Sequence, residues 1–130
     1  MRYMLDTDIA SYVIRRRPES LLSRFADHAD ELCISVITEA ELLYGVEKKS
    51  SKAIAEAVDQ FLMRLTVLNW NRTAARMYAK FRTKLEVTGT PIGNMDLMIA
   101  AHAAAANLVV VTNNERHFSK ISGLEFESWV

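Results

Sequence analysis

Cysteine is nearly absent from this chain: Cys33 stands alone, so no intrachain disulfide can form. Its neighbours in "ELCISVI" are apolar, which predicts a buried thiol kept reduced. Neither sign of charge is in surplus, since 16 Lys and Arg face 16 Asp and Glu. That balance argues against a general basic coat for nucleic acid, although a basic rim around an acidic centre gives the same sum. Glycine is sparse, at 4 residues. A Walker loop, a dinucleotide glycine fingerprint and a serine nucleophile elbow are all missing. His28, His102 and His117 show no zinc-ligand spacing. The most membrane-like run, Leu97 to Val111, falls short of the ~20 residues that span a bilayer, and Asn107 divides it. The N-terminus "MRYMLDTDIA" lacks the apolar core and cleavage site of a secretory signal. The expectation is a cytoplasmic protein with no membrane partner.

What is present alternates in character. Five short segments read as strands: "RYML", "LCISVI", "TVLNW", "LVVV" and, as a half-exposed edge, "LEFESW". Between them lie helical patterns. One follows Pro18 and Ser20, one runs from Ser51 to Leu65, and one follows Asn71 with Ala74, Met77, Tyr78, Phe81 and Leu85 inward. Asn94 is placed to cap a fourth, Met95 to Ala106, and Asn107 suits the left-handed position that ends it. Strands alternating with helices predict an α/β fold with a central, mainly parallel five-stranded sheet flanked by helices. All 130 residues are expected to form one domain, long enough to bury a core without staples.

Ligands of such sheets bind beyond the carboxyl ends of the strands, where strand order reverses. Acids and amides gather there. "YML" runs into Asp6 and Asp8, "ISVI" into Thr38, Glu39 and Glu41, and "VVV" into Thr112, Asn113, Asn114 and Glu115, while Asp96 opens the helix of "NMDLMIAAHAAAA". Each has a local explanation. Asp6 or Asp8 could cap a helix, and Thr38 with Glu41 matches a capping box. Asp96 could be a first-turn anion worth under ~1 kcal/mol, and the two asparagines could simply make a turn. Taken together, several acids at one sheet edge repel unless a cation sits among them. Hard oxygen ligands without cysteine favour Mg²⁺ or Mn²⁺ over zinc. His102, well off the Asp96 face of its helix, reads as structural. Mg²⁺ held by a few carboxylates takes its remaining ligands from water and phosphates, which points to phosphate-ester chemistry.

At these residues the sequence resembles the PIN-domain proteins, specifically the VapC-type toxins of bacterial toxin–antitoxin pairs. "YMLDTDIASYVI", "CISVITEAELLYGVEK", "GTPIGNMDLMIAAHA" and "LVVVTNNERHF" carry the likeness, in order, across nearly the whole chain. The resemblance implies that Asp6, Glu41 and Asp96 are the catalytic acids that bind Mg²⁺ or Mn²⁺. Asp6 and Asp96 would be direct ligands, with Glu41 binding the metal or orienting its water. Asp8 falls where the family more often has Asn or Ser. The family's fourth acidic position reads Asn114 here, a neutral amide that Glu115 could replace, and Thr112 matches a hydroxyl at the site's edge. The implied activity is an endoribonuclease that leaves 5′-phosphate and 3′-hydroxyl ends and inhibits translation and growth. It would be a homodimer neutralised by a VapB-type antitoxin, in a complex that binds operator DNA through the antitoxin. "PIGNMD" and "VVTNN" are closest to the enterobacterial-type members, which implies tRNA cut in the anticodon region, initiator tRNA in particular.

The residues themselves add cationic candidates for RNA contact: Arg15, Arg16 and Arg17 soon after the first strand, and Arg82 among Arg76, Lys80 and Lys84, with Trp70 nearby in sequence. Two other readings compete. "MLDTDIAS" also resembles the Asp-x-Asp start of haloacid-dehalogenase-like phosphatases, but the late "TNNERHF" supplies neither the acidic pair nor the lysine that chemistry needs. A non-catalytic, partner-binding adaptor on the PIN fold would explain Asn114, but leaves Asp6, Glu41 and Asp96 without a purpose.

Overall fold

A computed structural model describes residues 1–130. Its sheet holds β1 (Tyr3–Leu5), β2 (Leu32–Ser35), β3 (Thr66–Leu68), β4 (Val109–Val111) and β5 (Phe126–Glu127) in the order β3-β2-β1-β4-β5. Every neighbouring pair is parallel, with Leu5 beside Ile34 on one side and Val111 on the other. The helices are α1 (Thr7–Ile14), α2 (Glu19–Asp27), α3 (Val36–Lys49), α4 (Lys52–Arg64), α5 (Arg72–Val87), α6 (Asn94–Ala105) and α7 (Glu115–Phe118). No helix is long and apolar enough to cross a membrane.

The pleat of the three inner strands sorts the core into two layers. Tyr3, Leu5, Leu32, Ile34, Val109 and Val111 face one side, where Ile9 and Val13 of α1, Leu21 of α2, and Val58 and Phe61 of α4 cover them. Met4, Cys33 and Val110 face the other side, against Leu85 of α5 and Leu97, Ile99, Ala100 and Ala103 of α6. Strands buried on both faces read as continuous apolar runs, which is why "YML" and "VVV" do not alternate. Cys33 is fully buried, and its burial pushes the thiol up to about 12. Leu5→Ala is expected to cost about 2–5 kcal/mol, measured by denaturant unfolding, because a 0 % exposed side chain on the central strand leaves a cavity.

Several boundaries depart from the sequence expectation: the strand read in "TVLNW" ends at Leu68, that in "LEFESW" is only Phe126–Glu127, and two helix starts differ. Val36 and Ile37 do not extend β2; they begin α3, because the Ser35 hydroxyl accepts the Ile37 N–H at 3.0 Å and caps the helix. A β-branched pair is thus overruled by the cap before it. Asn94 is the first residue of α6 rather than its cap, and Gly93 takes the cap position without a side-chain bond. Asn107 does adopt the left-handed conformation, at φ 59°, and the Leu108 N–H reaches back to the Ala103 carbonyl at 2.8 Å. Ser51 and Asn71 cap α4 and α5.

Chain order places β2 and β3 on one side of β1, and β4 and β5 on the other. The reversal therefore falls between β1 and β4, whose carboxyl ends are stitched by the Asp6 N–H donating to the Val111 carbonyl at 3.0 Å. That crevice is where an open parallel sheet binds its ligand.

Candidate active site

Asp6 leaves the end of β1 and caps α1, its Oδ1 accepting the Ile9 N–H at 2.9 Å. The capping and ligand readings of this residue are therefore compatible, since the bonds it accepts from Ile9 and Thr112 leave lone pairs of the carboxylate unused. The side chain is 2 % exposed. Burial pushes its carboxyl from the ordinary 3.8 up to about 7; bonds from the Thr112 hydroxyl and the Ile9 amide work against that shift, and the charges of Asp8 and Asp96 add to it. Thr112, fully buried at the end of β4, in turn accepts the Asn114 N–H at 2.8 Å. The crevice thus holds a carboxyl that water hardly reaches and that a neighbouring carboxylate repels.

Asp96 sits in the first turn of α6, where helix amides favour an anion. Its Oδ2 lies 3.4 Å from His117 Nδ1, and that same nitrogen lies 2.8 Å from the Asn114 side-chain amide. His117 and Asp96 have side chains 40 % and 32 % exposed, so this part of the site opens to solvent. Sequence reasoning set His117 aside on its lack of zinc spacing. The available signal was its separation from Asn114: three positions across a helix start bring both to one side.

Glu41 lies in the second turn of α3 and accepts a hydrogen bond from the Thr7 hydroxyl, which is also 3.3 Å from Thr38 Oγ1. The capping-box expectation for Thr38 and Glu41 is overturned: Ser35 caps α3, and Thr38 is buried inside it. Glu41 instead borders a cleft of about 440 Å³ between α1, α3 and α4, shared with Asp8, Arg15 and Lys49. Thr7 is a second residue sequence reasoning missed, and its position directly after Asp6 was the clue. His102 matches its structural reading: it is buried, burial lowers its pKa, and its Nδ1 lies 2.7 Å from Ser35 Oγ, tying α6 to the end of β2.

The remaining candidates divide. Glu115 opens α7 and is exposed. Arg15, Arg16 and Arg17 are exposed at the end of α1, with the Arg15 guanidinium 5.1 Å from the Tyr12 ring centre. Arg82 is occupied on its own helix, 3.3 Å from Glu86 and 3.1 Å from the Tyr78 hydroxyl. Trp70 donates its indole N–H to the Met98 carbonyl at 3.2 Å. Asp6, Glu41 and Asp96 are not drawn into a three-carboxylate cluster at metal-ligand range. A buried carboxyl repelled by its neighbour, in an all-oxygen donor set, nevertheless suits a hydrated Mg²⁺, which uses one or two carboxylates and keeps several waters.

Comparison with known proteins gives consistent matches. The PIN-domain family model matches residues 3–124. The chain is 43% identical over 132 residues to ribonuclease VapC2 of Haemophilus influenzae, covering 100% of this chain and 99% of that protein. It is 41% identical over 130 residues to the tRNA(fMet)-specific endonuclease VapC of Salmonella typhimurium, covering 99% of this chain and 98% of the relative. Among solved structures, VapBC2 from Rickettsia felis bound to a DNA fragment from its promoter superposes with a TM-score of 0.92 at 40% identity, over the full length of both chains. DNA-bound VapBC from Salmonella typhimurium gives 0.92 at 41%, over 100% and 99%.

Proposed function

Because the chain belongs to the PIN-domain family, among the VapC ribonucleases, we propose that it is the toxin of a VapBC-type module, a Mg²⁺-dependent endoribonuclease formed by one PIN domain. The observation that carries the reading is the buried carboxyl of Asp6, raised to about 7 beside Asp96 at the β1/β4 crevice. A pure adaptor has no need to hold like charges together, whereas a cation placed between them offsets their repulsion.

Asp6 and Asp96 would hold the ion, and Glu41, kept in place by Thr7, would complete its water shell or orient the attacking water. Mg²⁺, when bound, activates a water and neutralises charge on the leaving oxygen. The chain's own groups prepare for this. The Thr112 hydroxyl and Ile9 amide favour the ionised form of Asp6. His117, with its proton on Nδ1, donates toward Asp96 Oδ2 at 3.4 Å and holds that rotamer, the Asn114 amide then turning its oxygen to the same N–H. Asn114 contributes no charge, so the donor set favours one ion over two. The water oxygen bonds to phosphorus, the bond from phosphorus to the 3′ oxygen breaks, and that oxygen takes a proton. The products are a 5′-phosphate and a 3′-hydroxyl.

The substrate class is RNA. The Salmonella relative is specific for tRNA(fMet), which supports initiator tRNA, cut in the anticodon loop, with translation arrest as the consequence. The VapBC complexes on DNA support a VapB-type antitoxin as partner and operator DNA as a ligand of the complex; the further reading is a toxin homodimer whose antitoxin makes the DNA contact.

The test incubates purified protein and its Asp6→Asn variant with total bacterial RNA, in Mg²⁺ and then in excess chelator, and maps new 5′ ends. Discrete 5′-phosphate ends that need both Mg²⁺ and Asp6 are expected. Folded, metal-binding protein that leaves every RNA intact would overturn the reading. His117→Ala is expected to lower kcat/KM on the mapped substrate about 10–100-fold, the usual loss when a group orienting a metal ligand is removed, with little change in Tm because the imidazole is 40 % exposed.

A further inference from the structure

Tyr12 takes no part in the metal chemistry, yet it is tied to the site. It follows Asp6 by six positions along α1, ~9 Å of helix rise. Its hydroxyl accepts the Asn113 side-chain amide at 3.2 Å, and Asn113 stands between Thr112 and Asn114 on the loop that frames Asp6. Tyr12 is half-buried at the margin of the core layer of α1, α2 and α4. The Arg15 guanidinium lies over the ring at 5.1 Å from its centre. Beside them opens a shallow recess of about 260 Å³ whose lining is Tyr12, Arg15, Arg17 and Pro18. No carboxylate contributes to that lining, although acids crowd the neighbouring cleft.

An aromatic ring, an adjacent guanidinium plane, a second free cation and no anion form the combination that holds an unpaired nucleotide. The base stacks on the planar groups and the cations meet its phosphate. The ~9 Å offset from Asp6 matches about three stacked steps of a strand at 3.4 Å each. We infer that Tyr12 and Arg15, with Arg17, form a nucleobase subsite that seats one unpaired base a few nucleotides from the scissile bond. It sets which single-stranded register is cut. The inference rests on the ribonuclease reading for its substrate class, and it assigns the register to α1 rather than to the basic face of α5, where Arg82 is already engaged.

The experiment uses the full chain carrying Asp6→Asn, so that nothing is cut, and single-stranded RNA oligonucleotides with 2-aminopurine stepped through each position. Stacking quenches that base. Quenching confined to one position is expected. Tyr12→Leu, which keeps the apolar contact with the core, should abolish it and weaken binding roughly 5- to 100-fold, the range for one base–aromatic stack. Arg15→Met, at an exposed position, should weaken it partly. With Asp6 intact, Tyr12→Leu should act mainly on KM and blur the cleavage register. Equal quenching in Tyr12→Leu, or none at any position, overturns the subsite. Cleavage by the Asp6-intact chain is scored separately. If it cuts RNA without Tyr12-dependent quenching, the subsite alone falls; if quenching is present without cutting, the nuclease reading falls and the subsite stands.

Discussion

Asp6→Asn is expected to abolish RNA cleavage and, at the same time, to make the metal-free protein more stable at pH 8. The loss of cleavage follows from removing the least hydrated of the carboxylates proposed to hold the ion. A metal supplies several kcal/mol of charge stabilisation, and at 1.36 kcal/mol per decade this predicts a fall of about 10³-fold or more. The gain in stability follows from the same burial. The folded carboxyl titrates at about 7 and the unfolded one near 3.8. The unfolded chain therefore gives up its proton first, and the native state loses stability as pH climbs from about 4 to about 7, levelling off above. The whole difference is on the order of 4 kcal/mol, an upper bound if water enters the crevice. Asn keeps the cap, because its side-chain oxygen can still accept the Ile9 N–H, and it has no charge to bury. Thermal unfolding with and without the substitution, from pH 4 to pH 8 in chelator, reads the effect. The gap between the two melting temperatures should open across that interval, by several degrees. A variant equally destabilised at both ends of the range would mean that Asp6 carries no desolvation penalty.

Much of this was legible in the sequence, and the divisions fall where physics predicts. The strands ending at Asp6 and Thr112 were readable because strands buried on both faces leave continuous apolar runs, and a polar residue marks where they stop. The helix starts at Ser51 and after Asn71 and the left-handed Asn107 were readable because each signal acts within its own turn. Val36 and Ile37 misled because β-branched residues signal a strand, whereas the Ser35 cap acts first. The charged core of the site, Asp6 and Asp96, was visible as acids at strand and helix ends. What holds those acids was not. Thr7 meets Glu41 across 34 positions, Tyr12 meets Asn113 across 101, and His117 meets Asp96 across 21. Contacts of that separation depend on the packing of whole helices, and their only local traces are neighbours, Thr7 beside Asp6 and His117 three positions from Asn114. Arg82 shows the converse: its basic character was plain, but its partners Tyr78 and Glu86, four positions away on either side, occupy it.

Mg²⁺ is expected to stabilise the wild-type protein in a strongly pH-dependent way. An ion entering the crevice must displace the proton that Asp6 holds until about pH 7. Well below that point apparent affinity should fall about tenfold per pH unit, so roughly 100-fold between pH 8 and pH 5. At pH 8 and 100-fold excess over Kd, binding raises stability by about 2.7 kcal/mol; at pH 5 the same concentration adds only a few tenths. Titration calorimetry at several pH values, with proton release counted from the dependence on buffer ionisation, measures both affinity and stoichiometry. Close to one proton should leave per ion near pH 6, and none at pH 8. Asp6→Asn should erase the pH dependence together with most of the affinity. A wild-type affinity that stays flat from pH 5 to pH 8 would put the ion elsewhere, on acids that are already ionised. The same carboxyl thus governs stability and activity with opposite signs: unoccupied, its burial strains the fold, and with a cation beside it that burial strengthens the charge interaction on which the chemistry depends.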